Sequence, residues 1–187
     1  MDEPLTTADA LLEATVESIH RFGLTGTTVS RVSEVAGVSR GMVRHNFGSK
    51  QVMVERAFES LCDSWTAATE PDPALGGEEQ VLSIVRAMFA ADVFTDARVD
   101  AWLALSTAAT SDPGLRQIRE RAQERWLSQL RAALDKAGAV EAAMIADGLL
   151  GVADGLWLRR RLEPAAMTRQ HAELTVVALA NAALGVR

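Results

Sequence analysis

The chain has 187 residues, enough for one large domain or two small ones, and 48% of them are hydrophobic, ample for a core. Cys62 is the lone cysteine, which excludes an internal disulfide and any cysteine-based metal site within one chain. The net charge of −6 gives no nucleic-acid footprint over the whole chain, so any such function has to rest on a local basic island.

The N-terminus, Met1-Asp2-Glu3, is acidic and lacks the basic-then-apolar pattern of a signal peptide. A first helix is predicted from about Thr7 to Phe22, with Ala8, Leu12, Ile19 and Phe22 as its inner stripe and Gly23 as its end. Glu17-x-x-His20 within it has a spacing found in di-iron bundles. Those sites need the pair twice plus further glutamates, so it reads as a solvated face and no metal is expected. Thr25 to Thr28 bend into a second helix, with Thr27 or Thr28 as cap. Val29, Val32, Val35 and Ala36 then share one helical face. Gly37 interrupts where a helix end favours a left-handed residue. Val38 is an apolar plug, and Ser39 is a good N-cap for a third helix, Arg40 to Phe47. Met42 or Val43, with Phe47, faces inward there. Two short helices joined by a glycine-containing turn form a helix-turn-helix pattern. In that motif the second helix lies in the major groove and its N-terminal residues meet base edges. Here those residues are Arg40, Gly41, Arg44 and His45. The charge agrees: Gly23–Lys50 carries Arg31, Arg40, Arg44 and Lys50 against Glu34, a balance of 4 − 1 = +3.

Ser49 can cap a fourth helix from Lys50 to about Ala68, with Val52, Ala57, Phe58, Leu61 and Trp65 as its stripe. Lys50 in the first turn is opposed by the helix dipole, and a phosphate beside it would relieve this. Pro71-Asp72-Pro73 and Gly76-Gly77 break the chain. A fifth helix follows from about Glu78 to Ala91, with Val81, Ile84, Val85 and Met88 inside, and a sixth from about Asp96 to Thr110. Ser111-Asp112-Pro113 starts a seventh with a capping side chain and proline in the first turn, and Gly138 closes it after Ala137. The eighth spans about Val140 to Leu162. Pro164 stops it and opens a ninth that reaches Leu184. The expected fold is all-α, with about nine helices. No apolar run is long enough to cross a bilayer, so no membrane partner is expected.

Phe22-Gly23, Thr28-Val29, Val32, Ala36-Gly37-Val38-Ser39, Gly41, Phe47 and Lys50 together resemble the DNA-binding domain of the TetR family, over roughly residues 8–62. The resemblance implies an N-terminal three-helix helix-turn-helix domain, residues 1–50, and a C-terminal helical bundle for ligand binding and dimerisation, residues 51–187, linked by helix 4. It implies a regulator, a repressor above all, that binds a pseudo-palindromic operator in double-stranded DNA as a homodimer and is released by a small-molecule effector. The candidate DNA contacts are Thr28, Arg31, Ser39, Arg40, Gly41, Arg44, His45 and Lys50. Two positions depart from the family pattern: Arg44 stands where many members carry Tyr, and Ser33 where Ala is usual. Further on, Trp102-Leu103-Ala104-Leu105, Pro113-x-Leu115 and Asp154-Gly155-Leu156-Trp157-Leu158-Arg159 resemble the C-terminal domain of choline-responsive BetI-type repressors, and His45 matches that subgroup. This implies the domain type rather than the ligand.

Gly148, Gly151 and Gly155 lie on one broad face of helix 8. They point to a dimer through helices 8 and 9, or else to close packing inside one subunit. Trp102, Trp126 and Trp157 fall in three separate helices. Asp147 and Asp154, seven apart, share a face of an otherwise apolar helix, where a buried carboxylate is costly unless paired. Trp102, Trp126, Asp154 and Trp157 are therefore candidate effector contacts, able to hold a cation against aromatic faces. The bland alternative is three core tryptophans, with the two acids at a dimer seam or paired with Arg159 or Arg160. His20, His45 and His171 are dispersed, and neither a nucleophile elbow nor a phosphate loop occurs. No catalytic residue, cofactor or metal is expected. The remaining rival is a helical protein-interaction or small-molecule sensor module without DNA binding; the basic face at Arg40 and Arg44 argues against it. The lone thiol suits a cytoplasmic location.

Overall fold

A computed structural model describes residues 7–185; the reading of Met1-Asp2-Glu3 lies outside them. Among the described residues there are nine α-helices and no strand: α1 (Thr7–Gly26), α2 (Val29–Ala36), α3 (Arg40–Phe47), α4 (Lys50–Ala68), α5 (Gly77–Ala87), α6 (Asp96–Ala108), α7 (Pro113–Lys136), α8 (Ala142–Leu162) and α9 (Arg169–Leu184). Packing divides them into two compact units. One holds the described residues up to Cys62 together with Asp96–Arg119. The other holds Asp63–Thr95 and the residues from Glu120 onward. Two of the three boundaries fall inside α4 and α7, and the third falls at the start of α6.

The core of the first unit is built from Leu11, Leu12 and Ala14 of α1, Val32 of α2, Val43 and Phe47 of α3, and Met53 and Ala57 of α4. Val29, Val35, Ala36 and Val38 pack against it. Turn chemistry sets the path between these helices. Gly23 adopts φ 69° and bends α1, and the bend is tied by the Thr27 hydroxyl, which donates to the Gly23 carbonyl at 3.0 Å. Thr28 is the observed cap of α2, its Oγ1 accepting from the Arg31 N–H at 3.3 Å. α2 ends with Gly37 at φ 67°; the Gly37 N–H donates to the Glu34 carbonyl and the Val38 N–H to the Ser33 carbonyl, a Schellman closure that seats Val38. Ser39 caps α3 by accepting from the Met42 N–H at 3.2 Å, and Ser49 caps α4 by accepting from the Val52 N–H at 3.2 Å.

α6 belongs to this unit and lies along α1. Arg98 pairs with Glu13 at 2.7 Å, and the His20 imidazole meets Asp100 at 2.8 Å. Three inward assignments are corrected. Phe22 is 42% exposed, with the Arg31 guanidinium 4.6 Å over its ring; Ala8 is only half-buried; and Val52 is exposed. Leu12, Ile19, Ala57, Phe58, Leu61 and Trp65 are buried as expected, and Leu11 and Val16 on α1 and Met53 and Cys62 on α4 complete the inner faces. On a helix the next residue along is turned about 100° away, so burying Met53 turns Val52 outward.

The second unit is held by ring pairs and aliphatic packing. Trp65 and Trp126 stack with centroids 5.7 Å apart, and Phe94 makes edge contacts with Phe89 at 5.1 Å and Trp157 at 5.5 Å. Val81, Ile84, Val85 and Met88 are all buried. α5 ends at Ala87, short of Ala91, because turns follow it to Phe94. Pro164 does stop α8, but α9 does not open there. Met167 is buried and accepts a hydrogen bond from Arg160, and Thr168 is the cap, its Oγ1 accepting from the His171 N–H at 3.1 Å. A buried residue and a hydroxyl at Thr168 together place the helix start beyond the proline.

Candidate nucleic-acid interface

α3 has eight residues and two fates for its side chains. Val43 and Phe47, four apart, are buried in the core and fix the helix against α2 and α4. Arg40, Gly41, Met42, Arg44 and His45 are exposed. The choice left open between Met42 and Val43 resolves to Val43, since Val43 and Phe47 share one face.

The candidate contacts separate by what their polar atoms already do. Among the described residues, the side chains of Arg40, Arg44 and His45 have no hydrogen-bond, ion-pair or ring partner. Their donors face water and stay available. Arg31 is committed: it donates to the Gly26 carbonyl at 2.5 Å and lies over Phe22. Lys50 is committed too. Its ammonium donates to the Leu24 carbonyl at 3.3 Å and the Thr25 carbonyl at 3.2 Å, pinning the last turn of α1, past the Gly23 bend, to the start of α4. Those carbonyls answer the charge that the α4 dipole opposes. Thr28 and Ser39 accept as caps, and each hydroxyl keeps its own proton for donation. Gly41 has room: a Cβ built there meets nothing nearer than Ser39 Oγ at 3.6 Å.

Two contributors were missed in the sequence. Arg56 donates to the Asn46 carbonyl at 3.4 Å and stands 5.3 Å from the Phe47 ring, closing the end of α3 from the next helix. Met42 carries an apolar surface on the outward side of α3; counting four residues back from Phe47 is the periodic signal that could have turned it outward.

The candidate effector residues are distributed over both units. Trp102 lies in the first, tilted against Phe58 at 5.7 Å. In the second, Trp126 is fully buried on Trp65, while Trp157 belongs to the separate Phe94 pair. Trp126 Nε1 is buried without a hydrogen-bond partner. Asp154 is half-buried. Asp147 is exposed and pairs with Arg131 at 3.2 Å, rather than with Arg159 or Arg160. Arg159 pairs with Glu163 at 3.0 Å. Among the described residues no cluster of histidine, cysteine and carboxylate side chains can hold a metal, and no helix is long and apolar enough to cross a membrane.

Residues 11–57 match the family of bacterial regulatory proteins of the tetR type, and residues 77–185 match the C-terminal domain of BetI-type transcriptional repressors. An HTH-type transcriptional regulator, BetI, from Burkholderia lata is 36% identical over 159 residues, covering 81% of this chain and 80% of that protein. A transcriptional regulator of known crystal structure from Rhodococcus sp. Rha1 superposes with a TM-score of 0.85 at 25% identity, over 96% of this chain and 97% of that one. A regulator from Saccharomonospora viridis, solved in complex with choline, shares the fold with a TM-score of 0.75 at 18% identity, over 90% of this chain and 92% of that one. These matches span both parts of the chain, and the α3 face carries the free cationic groups that such a role requires. The chain belongs to the TetR family of transcriptional regulators, with a C-terminal part of the BetI type, and is a DNA-binding regulator rather than an enzyme.

Proposed function

We propose that the chain acts as a homodimeric repressor: two α3 helices enter successive major grooves of a pseudo-palindromic operator, and a small molecule bound in residues 51–187 releases them. The observation that carries this is the state of α3. Its inner residues are locked in a core, while Arg40, Arg44 and His45 face solvent with unused donors. A preformed helix with free guanidinium and imidazole groups spends little entropy on ordering when it meets base edges and phosphates. Residues 1–50 carry the reading head and α4 links it to the rest. Ser39 and Thr28 would offer their hydroxyl protons to phosphate at two helix N-termini. Arg31 and Lys50 hold the α1–α2 bend and add positive potential. Work on an operator implies a cytoplasmic location.

The dimer is assigned to α8 and α9. Met144, Gly148, Gly151, Gly155, Leu158 and Leu162 follow at steps of four and three along α8, and Met144 is 64% and Leu162 67% exposed. A Cβ at any of the three glycines meets nothing among the described residues within 4 Å, so their smallness serves no packing seen within the protomer. Leu174 and Leu179 of α9 are exposed as well. Such an apolar seam suits a second copy of itself. Light scattering on the eluted protein should give a dimer, and Gly151→Arg with Leu158→Glu a monomer. A wild-type monomer at micromolar concentration would overturn the assignment.

The effector site is proposed in the second unit around Trp126, with Asp154 and Trp157 as further contacts; Trp102, which lies in the first unit, is left out of it. An unpartnered buried N–H costs about 1–3 kcal/mol, which an acceptor on a ligand would recover. Release follows if the effector favours a conformation whose head spacing misfits the operator, by no more than its differential affinity for the two states. Choline and betaine are the first probes. Tryptophan fluorescence that stays flat to millimolar levels of both would remove quaternary amines. For the DNA arm, Arg44→Ala should cost about 1–3 kcal/mol of operator binding and relax specificity if Arg44 reads a base. A uniform loss with the salt slope lower by about one assigns it to phosphate. Unchanged binding would remove Arg44 from the interface.

A further inference from the structure

We infer that Met42 is a specificity-determining residue that reads the 5-methyl group of a thymine in the operator. The inference rests on the reading of α3 as the recognition helix and adds which base group its apolar member selects. Met42 is the third residue of α3, 42% exposed. Its backbone is used, the N–H donating to Ser39 Oγ at 3.2 Å and the carbonyl accepting from Asn46 Nδ2 at 2.9 Å, but its side chain is not part of the core that Val43 fills. Residue 41 beside it is a glycine, and a Cβ there would have only ordinary contacts, so nothing screens the thioether on that side. The surrounding exposed groups, Arg40, Arg44 and His45, are polar and uncommitted.

An exposed methionine alone means little, since scattered apolar side chains are ordinary on surfaces. Position gives this one its meaning. It stands among free cationic groups, so the surface that covers it carries a negative potential. In the first turn of a recognition helix that surface is the floor of the major groove. There the one apolar feature of the four bases is the thymine 5-methyl; cytosine, guanine and adenine present donors and acceptors. Methionine is unbranched and polarizable, so it can close on a methyl without a fixed rotamer. Burying the pair favours T·A over C·G at one position of each half-site, and Gly41 lets the backbone approach closely enough for it.

The test uses the full chain and a duplex selected by it from a random-sequence pool. Each thymine of the half-site is replaced in turn by deoxyuridine, which removes the methyl and leaves every hydrogen-bonding group in place. Wild type should lose about three- to fivefold in affinity at one position, the scale of one buried methyl. Met42→Ala and Met42→Gln should bind the original duplex more weakly and be indifferent to deoxyuridine at that position. For wild type, 5-methylcytosine there should bind better than cytosine. Met42 is exposed, so both variants should keep the wild-type circular dichroism. Equal affinity for thymine and deoxyuridine at every position overturns the proposal while leaving operator binding intact. A deoxyuridine penalty that persists in Met42→Ala assigns the methyl to another residue and also overturns it. Failure to select any duplex overturns the recognition reading itself, and the proposal with it.

Discussion

His20 Nδ1 lies 2.8 Å from Asp100 Oδ2, joining α1 to α6 across 80 residues of sequence. The sequence reads Glu17 and His20 as a solvated face, whereas Glu17 is engaged by Arg21, its neighbour one turn on, and His20 by Asp100. With Arg98–Glu13 at 2.7 Å, the His20–Asp100 contact makes a polar clamp between a helix of the reading head and one from beyond the proline–glycine break. A double-mutant cycle of His20→Ala and Asp100→Ala, read by urea unfolding, should return a coupling of about 0.2–1 kcal/mol, as for a partly exposed pair. Additive losses would show that the clamp contributes nothing.

Gly41 should separate stability from function. It is helical and has space for a Cβ. Gly41→Ala should therefore raise stability by about 0.5–1 kcal/mol, through helix propensity and lower unfolded-state entropy. The same methyl stands on the outward face of α3, and operator affinity should fall by about 1–3 kcal/mol, the scale of one lost base contact. A variant both more stable and equally tight on DNA would contradict a close backbone approach there.

Gly77 is the opposite case. A Cβ on this buried glycine at the start of α5 would overlap the backbone of Ala137 and Lys136 at the end of α7. Backbone cannot swing aside as a side-chain tip can. Gly77→Ala should destabilise by about 1–3 kcal/mol or more, seen as a lower midpoint in thermal or urea unfolding. An unchanged midpoint would mean that α5 and α7 separate there freely.

Asp112 caps α7, and its carboxyl is held below the usual aspartate range by the Leu115 N–H, which donates to Oδ1 at 3.1 Å, and by Gln51, which donates to Oδ2 at 2.9 Å. A depressed folded-state pKa stabilises the native protein above the unfolded value, near about 4, and that stabilisation is lost as pH falls through the lower folded value. Asp112→Asn keeps a capping oxygen but loses the titration. The difference in Tm between wild type and this variant should be widest at neutral pH and should close in strong acid. A gap that does not change with pH would assign the effect to shape rather than charge.

Local chemistry wrote much of this protein into its sequence. Gly37, Ser39, Ser49 and Asp112 act within one helical turn of themselves, so the helix-turn-helix, its caps and the start of α7 were legible without the fold. The outward placement of Arg40, Arg44 and His45 on α3 followed from the same short-range pattern. Tertiary structure decided what depends on distant partners. It turned Val52 outward because Met53 claimed the core, left Phe22 exposed beside the Gly23 bend under the Arg31 guanidinium, moved the start of α9 to Thr168 because Met167 is buried, and committed Lys50 to the carbonyls of Leu24 and Thr25. It also gave Asp147 to Arg131 and His20 to Asp100. A capping bond forms between residues a few positions apart and leaves its mark in their order. An ion pair between helices depends on how those helices meet, which no local run of residues encodes.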